Sequence, residues 1–542
     1  MATKAKRLEM LKNFQKYDFG SSHLWLLGQG AIGTGLLFMI LKLFNINLDQ
    51  ITVIDMPTKV KPKEQLIKDI NETVRIVRGS TGKTGKTNNN MQSNIKIISA
   101  QINYKNYKKI FNNLSKNDMV IDCVYDVSTL DVLKLCQQIG CAYVNSCIEI
   151  WNYRDIDNAY DYTIHSKLQE LREYEASLKD PKFTAMVGIG CNPGMVSVWA
   201  QLAIEKINKY YGNKTMKNAE ELGIRTVHIS EIDTQRSSVP KRINEYCNTW
   251  GSTIEPLYEE ALAPLEMSFG THEDVPKKNL TTYEEDKSVI ILDRLALNTF
   301  AQSYCPLYGN FLGMLIRHEE NITIGDRLST FKIVKGKKIK TWAPSVYYVY
   351  RPSADTMASL TELRDRNYKY QDNFRFLTDE IIDGRDELGL SFFLKNGDIF
   401  WIGSLLDIGE AREVFSNKFN HKMNATTVQV IGGYLSGIMH MMDMHKAGKH
   451  GLYVPEDLPY KELYNRMKPF YGDFVFKKVN KWDYRDINKP YQFTTFIASQ
   501  KDAKLAHKVP KLEWKLSDFL VNPESVIGIP KCVTYKNKKE CN

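Results

Sequence analysis

The sequence predicts an α/β protein with a doubly wound parallel sheet at its N-terminal end and a second α+β domain behind it. Strand-like and helix-like segments alternate regularly over 23–207, and a glycine-rich turn joins the first strand to the first helix. Such alternation is typical of a parallel sheet covered by helices on both faces. Beyond residue 210 the segments become rich in β-branched and aromatic residues, which favours a mixed or antiparallel sheet.

The glycine-rich turn is the first element to justify. It reads Gly28-Gln29-Gly30-Ala31-Ile32-Gly33, a G-x-G-x-x-G pattern. An apolar run over 23–27 precedes it, and apolar residues at helical spacing follow over 34–44. A second β-rich run, 51–54, then ends in Asp55. Strand, turn, helix and strand together form a βαβ unit, which makes the pattern far more specific than the glycines alone.

Each residue of this unit has a physical role in binding a dinucleotide. Gly28 permits a tight turn, Gly30 lets backbone amides approach a pyrophosphate, and Gly33 lets the helix pack closely on the strand. The phosphates would bind at the positive N-terminus of the helix. Asp55 follows Gly33 by 22 residues, where a carboxylate binds ribose hydroxyls and repels a 2′-phosphate. The unit therefore predicts a Rossmann domain that prefers NAD to NADP.

The alternation continues with further predicted strands and helices. The strands are predicted over 95–99, 119–124, 141–145 and 184–190, and the helices over 104–114, 129–139, 165–178 and 194–207. Residues 57–94 are polar and are predicted to form a flexible inserted loop, because the run 79–87 fails the P-loop spacing and no strand precedes it. Ligands bind beyond the carboxyl ends of parallel strands. This rule selects the stretches 126–128, 145–149 and 191–194.

The second half of the chain is predicted to hold the mixed sheet and one long helix. Its strand-like runs are 224–232, 288–292, 311–318, 345–350 and 391–394, and an apolar helix is predicted over 427–442. The predicted organisation is a Rossmann NAD-binding domain over 1–208, a catalytic and dimerisation α+β domain over 209–423, a helix returning to the Rossmann domain over 424–470, and a C-terminal extension over 471–542.

Composition excludes several classes of protein. The chain has 542 residues, and no apolar run approaches the roughly 20 residues that a membrane-spanning helix needs. Nine cysteines without a C-x-x-C pair indicate reduced thiols rather than a disulfide framework or a zinc site. The formal charge of +10 lies largely in the tails and the 57–94 segment, so solvated faces explain it better than nucleic-acid binding. We expect a cytoplasmic protein with no metal, no nucleic acid and no membrane partner.

Charged and aromatic residues in otherwise apolar stretches are the candidates for chemistry. Glu149 follows a core strand, where a carboxylate is costly unless it meets a cation. Glu231 and Asp233 share one face of a strand. Trp250 could present its ring to a cation, although core packing is the simpler interpretation. The pairs His272-Glu273 and His318-Glu319 lack the H-E-x-x-H pattern of a zinc protease, and the run 383–389 could equally form a charged surface turn.

These motifs resemble one enzyme family. The runs "YDVST" at 125–129, "NSCIEIW" at 145–151, "GCNPGMVS" at 190–197, "SEIDTQRSSVPKR" at 230–242, "NTW" at 248–250, "GTHE" at 270–273, "DGRDELG" at 383–389 and "NATTVQV" at 424–430 resemble bacterial-type homospermidine synthase, of the saccharopine dehydrogenase-like group. The resemblance covers roughly 20–470 without the 57–94 insertion. It implies that two putrescines, or spermidine plus putrescine, are joined into homospermidine with release of ammonia or diaminopropane. It also implies that NAD is reduced and reoxidised within one turnover through imine intermediates, and that the enzyme is a homodimer.

The resemblance also implies roles for individual residues. The implied catalytic residues are Trp250, Glu231, Glu260, Glu149, Asn192, His318 and Asp386, with Glu259 as an alternative to Glu260. The predicted cofactor-binding residues are Gly28, Gly30, Ala31, Ile32, Gly33, Asp55, Asp126, Ser128, Asn145, Cys147 and Pro193. Putrescine is a dication at neutral pH, so a pocket that holds it beside a cationic nicotinamide needs several carboxylates.

Two alternatives stay open. A carboxyspermidine or saccharopine-type dehydrogenase would bind substrate carboxylates and should line its pocket with an arginine, for which Arg236 and Arg317 are the candidates. A non-catalytic NAD-binding regulatory protein would keep the glycines but would not need Glu231, Glu260 and Trp250 to converge.

Overall fold

The computed structural model describes nine segments of the chain. They are 4–58, 61–79, 94–152, 163–215, 217–251, 260–274, 282–283, 286–480 and 491–498. Three of the predictions above lie outside the described residues: Glu259, the glycine-rich run from residue 80 onward, and most of the C-terminal extension.

Helices and strands are distributed along the whole described chain. The helices are α1 (Lys4–Lys12), α2 (Ala31–Leu43), α3 (Lys63–Arg78), α4 (Tyr107–Ile110), α5 (Thr129–Ile139), α6 (Ile164–Ser177), α7 (Met195–Tyr210), α8 (Glu320–Leu328), α9 (Ala354–Asp365), α10 (Ile408–Glu413), α11 (Ala425–Lys446), α12 (Tyr460–Arg466) and α13 (Phe493–Phe496). The strands are β1 (Tyr17–Asp18), β2 (Leu24–Leu27), β3 (Phe44–Asn45), β4 (Ile51–Asp55), β5 (Lys96–Ser99), β6 (Met119–Asp122), β7 (Ala142–Asn145), β8 (Thr184–Met186), β9 (Ile224–Asp233), β10 (Arg236–Ser237), β11 (Glu245–Asn248), β12 (Pro264–Ser268), β13 (Val289–Leu295), β14 (Phe300–Cys305), β15 (Gly309–Ile316), β16 (Thr330–Val334), β17 (Lys337–Trp342), β18 (Ser345–Arg351), β19 (Asn373–Phe376), β20 (Ile381–Asp383), β21 (Arg385–Leu394), β22 (Ile399–Asp407), β23 (Gly451–Tyr453), β24 (Asp473–Lys478) and β25 (Ile497–Ala498).

The N-terminal sheet has seven parallel strands in the order β23-β8-β7-β6-β2-β4-β5. Its central strands β2, β6 and β7 are buried at every position, as expected for a parallel sheet with helices on both faces. The edge strand β23 comes from residues 451–453, so the chain returns to this sheet after the second domain. The predicted doubly wound parallel sheet is confirmed.

Two local predictions in this half are wrong. Residues 63–78 form the helix α3 and not a flexible loop, because Leu66, Ile70 and Val74 recur every four residues and bury an apolar stripe in the domain core. The helix predicted over 104–114 is reduced to the short α4. The Asn106 side chain accepts the Asn103 backbone N–H at 2.9 Å, which competes with helical hydrogen bonding before α4.

The second sheet is mixed, as predicted. Its strands follow the order β24-β22-β21-β9-β18-β15-β14-β25. Off this path, β12 pairs with β18 and with β13. The pair β9–β18 is parallel and the other pairs are antiparallel. Both ends of this order, β24 and β25, come from the C-terminal extension, whose Phe493 and Phe496 are buried in the core of this half. The predicted domain boundaries stay predictions.

The helix α11 holds the two sheets side by side. A Cβ atom added to Gly433 would lie 1.8 Å from the carbonyl oxygen of Gly190, so only glycine allows this contact with the loop after β8. The Tyr434 hydroxyl donates to the carbonyl oxygen of Asp122 at the end of β6, at 2.8 Å. About one turn before Gly433 in α11, Gln429 donates to Ser404 on β22 at 2.8 Å. Neither α11 nor any other described helix is long and apolar enough to cross a bilayer.

Candidate active site

The glycine-rich turn has the geometry that the dinucleotide hypothesis requires. Gly28 adopts a φ of 88°, a left-handed conformation that favours glycine, and its N–H donates to the Ile54 carbonyl at 2.8 Å. A Cβ on Gly33 would lie 1.9 Å from the Gly28 carbonyl oxygen, so a larger residue would push α2 away from β2. Gly30 caps α2 without a side-chain hydrogen bond, and Ala31 begins the helix. The N-terminus of α2 is therefore suited to an anion such as a pyrophosphate.

Asp55 lies at the carboxyl end of β4, beside this turn. The Nζ atom of Lys61 lies 3.7 Å from its Oδ2 atom and donates to the Gln29 carbonyl oxygen at 2.5 Å. Burial raises the pKa of Asp55, and Lys61 opposes that shift. Asp55 is thus placed to receive ribose hydroxyls, with a lysine close enough to offset part of its charge.

The remaining predicted cofactor residues lie at the carboxyl ends of neighbouring strands. Asp126 has a left-handed φ of 69°, and Ser128 caps α5 by accepting the Asp131 N–H at 3.2 Å. The Asn145 amide is used within the protein, donating to the Cys147 carbonyl oxygen at 2.6 Å. Burial raises the pKa of the Cys147 thiol well above its usual value, so the thiol stays protonated. Direct contacts of these residues with a cofactor stay predictions, as do those of Ile32 and Pro193.

Three carboxyl groups line up on one face of the second sheet. Glu231 and Asp233 lie two residues apart on β9, and Asp386 on β21 is the register partner of Asp233. Their exposed fractions are 2%, 4% and 0%. The alternative of a charged surface turn is therefore wrong for Asp386, which lies inside a buried strand. Three buried carboxyl groups this close together form a strongly acidic site.

Asn192 connects this acidic face to the Rossmann sheet. Its Nδ2 atom donates to Glu231 Oε2 at 2.7 Å and lies against the Tyr348 hydroxyl. Tyr348 on β18 also donates to Glu231. Because Asn192 follows β8, the end of the Rossmann sheet and the acidic face meet at this hydrogen-bonded group. The structure thus brings Asn192 and Glu231 together.

His318 lies between two glutamates at the edge of the same face. Its Nε2 atom is 3.1 Å from Glu260 Oε1, and its Nδ1 atom is 2.7 Å from Glu320 Oε2. Its ring packs edge-on against Tyr348, with the centroids 5.0 Å apart. His318 and Glu260 therefore extend the acidic cluster. Glu320 fixes the orientation of the imidazole through the Nδ1 contact.

Burial and mutual repulsion control the charges in this cluster. Burial raises the pKa of Glu231 to about 8 and that of Asp233 to about 6. Burial, with Glu231 and Asp233 nearby, raises the pKa of Asp386 well above its usual value. Burial would lower the pKa of His318, but Glu320 and Glu260 outweigh it and hold that pKa well above 6.5. Without a bound cation, Glu231 and Asp386 keep their protons near pH 7, and the imidazole of His318 stays charged.

Trp250 is connected to the acidic cluster by the two residues that precede it in the chain. Thr249 donates to Asp233 Oδ2 at 2.6 Å, and Asn248 Oδ1 accepts the Trp250 backbone N–H at 3.0 Å. The Trp250 ring is half-buried against the apolar core, so packing accounts for part of its surface. A role for its exposed part in binding a cation stays a prediction.

Glu149 lies on the Rossmann side of the site. Its backbone N–H donates to Thr129 Oγ1 at 2.9 Å, and the Cys147 thiol donates to Glu149 Oε1 at 3.2 Å. The adjacent Ile148 N–H donates to Glu319 Oε1 at 3.1 Å, which ties this loop to the start of α8. Glu149 is therefore close to the His318 segment in space, and its catalytic role stays a prediction.

His318, Glu319 and Glu320 also form a group of three potential metal ligands within the described residues. One ligand atom from each lies within 4.8 Å of the others. His318 and Glu320 pair with each other, and Glu319 accepts the backbone N–H described above. Beside them, a cavity of about 20 Å³ is lined in part by Glu319, Glu320 and Glu456, and it has room for one water molecule.

Other residues that the sequence singled out lie in structural contacts. His272 faces the Tyr491 carbonyl oxygen at 3.1 Å, and Glu273 accepts the Phe493 N–H at 3.0 Å, so this pair anchors the C-terminal segment. Arg236 pairs with Asp383 at 2.5 Å on the surface. Arg317 lies 3.9 Å from the buried Glu266.

Sequence reasoning missed two tyrosines on the acidic face. Tyr348 and Tyr350 alternate along β18, and Tyr350 is the register partner of Glu231 in the parallel pair β9–β18. Both rings are buried, at 1% and 3% exposure. The period-two spacing of two tyrosines in a predicted core strand was the signal that could have identified them.

Comparisons with known proteins agree with this architecture. A family model described as the saccharopine dehydrogenase NADP binding domain matches residues 24–186. The homospermidine synthase of Mesorhizobium japonicum is 28% identical over 481 residues, covering 85% of this chain and 91% of that protein. The homospermidine synthase of Blastochloris viridis is 27% identical over 467 residues, covering 83% and 90%. The crystal structure of the homospermidine synthase from Legionella pneumophila in complex with NAD has a TM-score of 0.75 and 27% identity, covering 90% of this chain and 100% of that chain. The resemblance inferred from the sequence motifs is thereby confirmed, and the chain is similar to homospermidine synthases over 83–90% of its length.

Proposed function

We propose that this protein is a homospermidine synthase that joins two putrescines and releases ammonia, with NAD reduced and reoxidised in each turnover. Spermidine in place of one putrescine would release diaminopropane. The observation that carries the proposal is the buried acidic face of Glu231, Asp233 and Asp386 beside Asn192 at the end of the Rossmann sheet. A buried cluster of carboxyl groups is stabilised by a cation, and a diamine supplies two positive charges.

The residues of the Rossmann half fit a dinucleotide. Gly28 and Gly33 keep side chains out of the space at the N-terminus of α2, and Asp55 lies at the carboxyl end of β4. When bound there, NAD would supply a reversible hydride acceptor for the carbon that carries the reacting amine. The protein must provide everything else: the orientation of the diamine, the movement of its protons and the exclusion of water.

Glu231 is the group that we propose exchanges protons with the reacting amine. An alkylammonium ion has a pKa of about 10 and must lose a proton before its carbon can give up a hydride. A pKa of about 8 lets Glu231 accept this proton when ionised and return one to the leaving ammonia when protonated. Asn192 and Tyr348 hold the Glu231 carboxyl group in one orientation for both steps.

His318 is better suited to donate a proton than to accept one. Glu320 and Glu260 hold its pKa well above 6.5, so the imidazole is charged at neutral pH. A glutamate is therefore favoured over His318 as the base that removes the proton of the reacting amine. The imidazole also contacts Glu260 Oε1 at 3.1 Å, which holds that carboxyl group beside the site.

The two alternatives have less support. A dehydrogenase acting on a carboxylated substrate needs an arginine in the pocket, but Arg236 pairs with Asp383 and Arg317 faces Glu266. A non-catalytic NAD-binding protein gives no reason to bury Glu231, Asp233 and Asp386 on one face, because buried carboxyl groups without a ligand destabilise the fold.

The proposal is tested with purified protein, putrescine and NAD at a concentration far below that of putrescine. We expect homospermidine and ammonia in equal amounts and no lasting NADH absorbance. Steady accumulation of NADH with putrescine would instead identify a dehydrogenase, and no turnover with any diamine would favour the regulatory alternative.

The proposal extends to assembly and location. We propose a homodimer, as the family resemblance implies, which size-exclusion chromatography with light scattering would measure. The described cysteines, from Cys123 to Cys305, are free thiols, which is typical of a reducing compartment such as the cytoplasm.

A further inference from the structure

We propose that Tyr350 is a substrate-binding residue whose hydroxyl oxygen receives an N–H group of the diamine at the acidic face. This inference rests on the proposed function and adds a residue to it. Tyr350 lies near the carboxyl end of β18, directly beside Glu231 on the neighbouring parallel strand. Its side chain therefore belongs to the same row as the acidic residues.

The hydroxyl of Tyr350 is buried without a hydrogen-bond partner among the described residues. The residue is 3% exposed, so water does not readily replace the missing partner. Asp386, in the same site, is 0% exposed; its Oδ2 atom accepts from Thr426 at 2.6 Å, and its carboxyl group shares a hydrogen bond with Glu231. Buried polar atoms in native proteins are almost always hydrogen-bonded, so the unpartnered Tyr350 hydroxyl beside the acidic face indicates a ligand.

Tyr348 shows what a purely protein-bound tyrosine looks like in the same strand. It lies two residues before Tyr350, and its hydroxyl contacts both Glu231 and Asn192. Its hydrogen-bonding capacity is used in the absence of substrate. The contrast between two neighbouring tyrosines on one strand assigns Tyr348 to positioning and Tyr350 to binding.

The chemistry of an ammonium group matches the Tyr350 hydroxyl and the carboxyl groups beside it. An alkylammonium ion has three N–H donors and no acceptor. The oxygen of Tyr350 and Asp386 Oδ1 are both acceptors, and Glu231 lies on the strand between them. Burial and the carboxyl groups of Glu231 and Asp233 raise the pKa of Tyr350 well above 10, so the phenol stays neutral. A neutral phenol completes the coordination of the cation without adding another buried negative charge.

The test is Tyr350→Phe, which removes one oxygen atom and keeps the packed ring. We expect the KM for putrescine to rise by roughly tenfold or more, which corresponds to the loss of one hydrogen bond to a charged group. The affinity for NAD, measured by fluorescence titration, should not change. The melting temperature without ligands should be unchanged or higher, and the increase in melting temperature on adding putrescine with NAD should be smaller than in the wild type.

Tyr348→Phe is the matched control on the same strand. Because its hydroxyl already bonds to Glu231 and Asn192, this variant should be less stable without ligands. The inference on Tyr350 is overturned if Tyr350→Phe keeps a wild-type KM, or if it is less stable than the wild type without ligands or does not fold. A wild-type protein that makes no homospermidine would overturn the proposed function instead, so the two failures are distinguishable.

Discussion

Replacing Glu231 with glutamine keeps the size of the side chain and removes its ionisable group. In the folded protein burial raises the pKa of Glu231 from 4.5 to about 8. One pKa unit corresponds to about 1.4 kcal/mol, so ionising this group in the fold costs up to about 5 kcal/mol. The folded state therefore holds the proton more tightly than the unfolded state does. The contribution of Glu231 to stability is complete below pH 4.5 and is lost as pH rises through about 8.

Glu231→Gln should remove this pH dependence. Near pH 5 the variant and the wild type should have similar unfolding free energies, because the wild-type carboxyl group is then protonated. Between pH 5 and pH 8 the variant should become more stable than the wild type by up to about 1.4 kcal/mol per pH unit. Putrescine turnover should fall about 100-fold or more, because the variant cannot exchange a proton.

Urea denaturation at pH 5, 6.5 and 8, followed by tryptophan fluorescence, measures how the unfolding free energy of each protein depends on pH. Glu221→Gln, at an exposed position ahead of β9, is the control. Its unfolding free energy should depend on pH in the same way as that of the wild type. If the unfolding free energy of Glu231→Gln also follows that of the wild type at every pH, then Glu231 is ionised in the free protein and the argument from burial is wrong. Full turnover in the variant would separately refute its role as the proton-exchanging group.

Three further predictions test other parts of the site. Trp250→Ala should bind NAD normally but turn over about five- to thirtyfold more slowly, if its ring contributes about 1–2 kcal/mol to holding a cation; unchanged turnover of putrescine would refute a direct role. Gly33→Ala should abolish NAD binding or folding, because the added Cβ would meet the Gly28 carbonyl oxygen at 1.9 Å, and normal NAD titration would contradict that geometry. Asp55→Ala should lower the ratio of the Kd for NADP to that for NAD by about tenfold or more, since it removes the repulsive carboxylate and leaves Lys61 in place; an unaltered ratio would mean that the ribose is recognised elsewhere.

The parts of the fold that sequence predicted are those with strong local signals. The run from Leu24 to Asp55 contains strand, glycine turn, helix and acid within one short segment, and each residue type there satisfies a local backbone or packing requirement. The long helix α11 was predicted from its apolar length and small residues. The helix α3 was missed because its three buried aliphatic residues are few among many charged ones, which made the four-residue repeat hard to recognise.

The candidate site was only partly predictable, for a physical reason. The family resemblance of the motifs implied roles for Glu231, Asp386, Asn192 and His318 one by one. Their roles depend on pairings between strands far apart in sequence: β9 with β18 on one side and with β21 on the other. No local pattern contains that register, and Tyr350 gained significance only when it was placed beside Glu231.

The sequence alone determined the dinucleotide unit, the class of fold and the family resemblance, because these follow from residue types at short, fixed spacings. Only the tertiary structure decided which carboxyl groups share one buried face, which of them hold protons, and which tyrosine hydroxyl has no partner. Those properties depend on distance, burial and the neighbours that long-range strand pairing supplies, and pKa values change only when such neighbours come together.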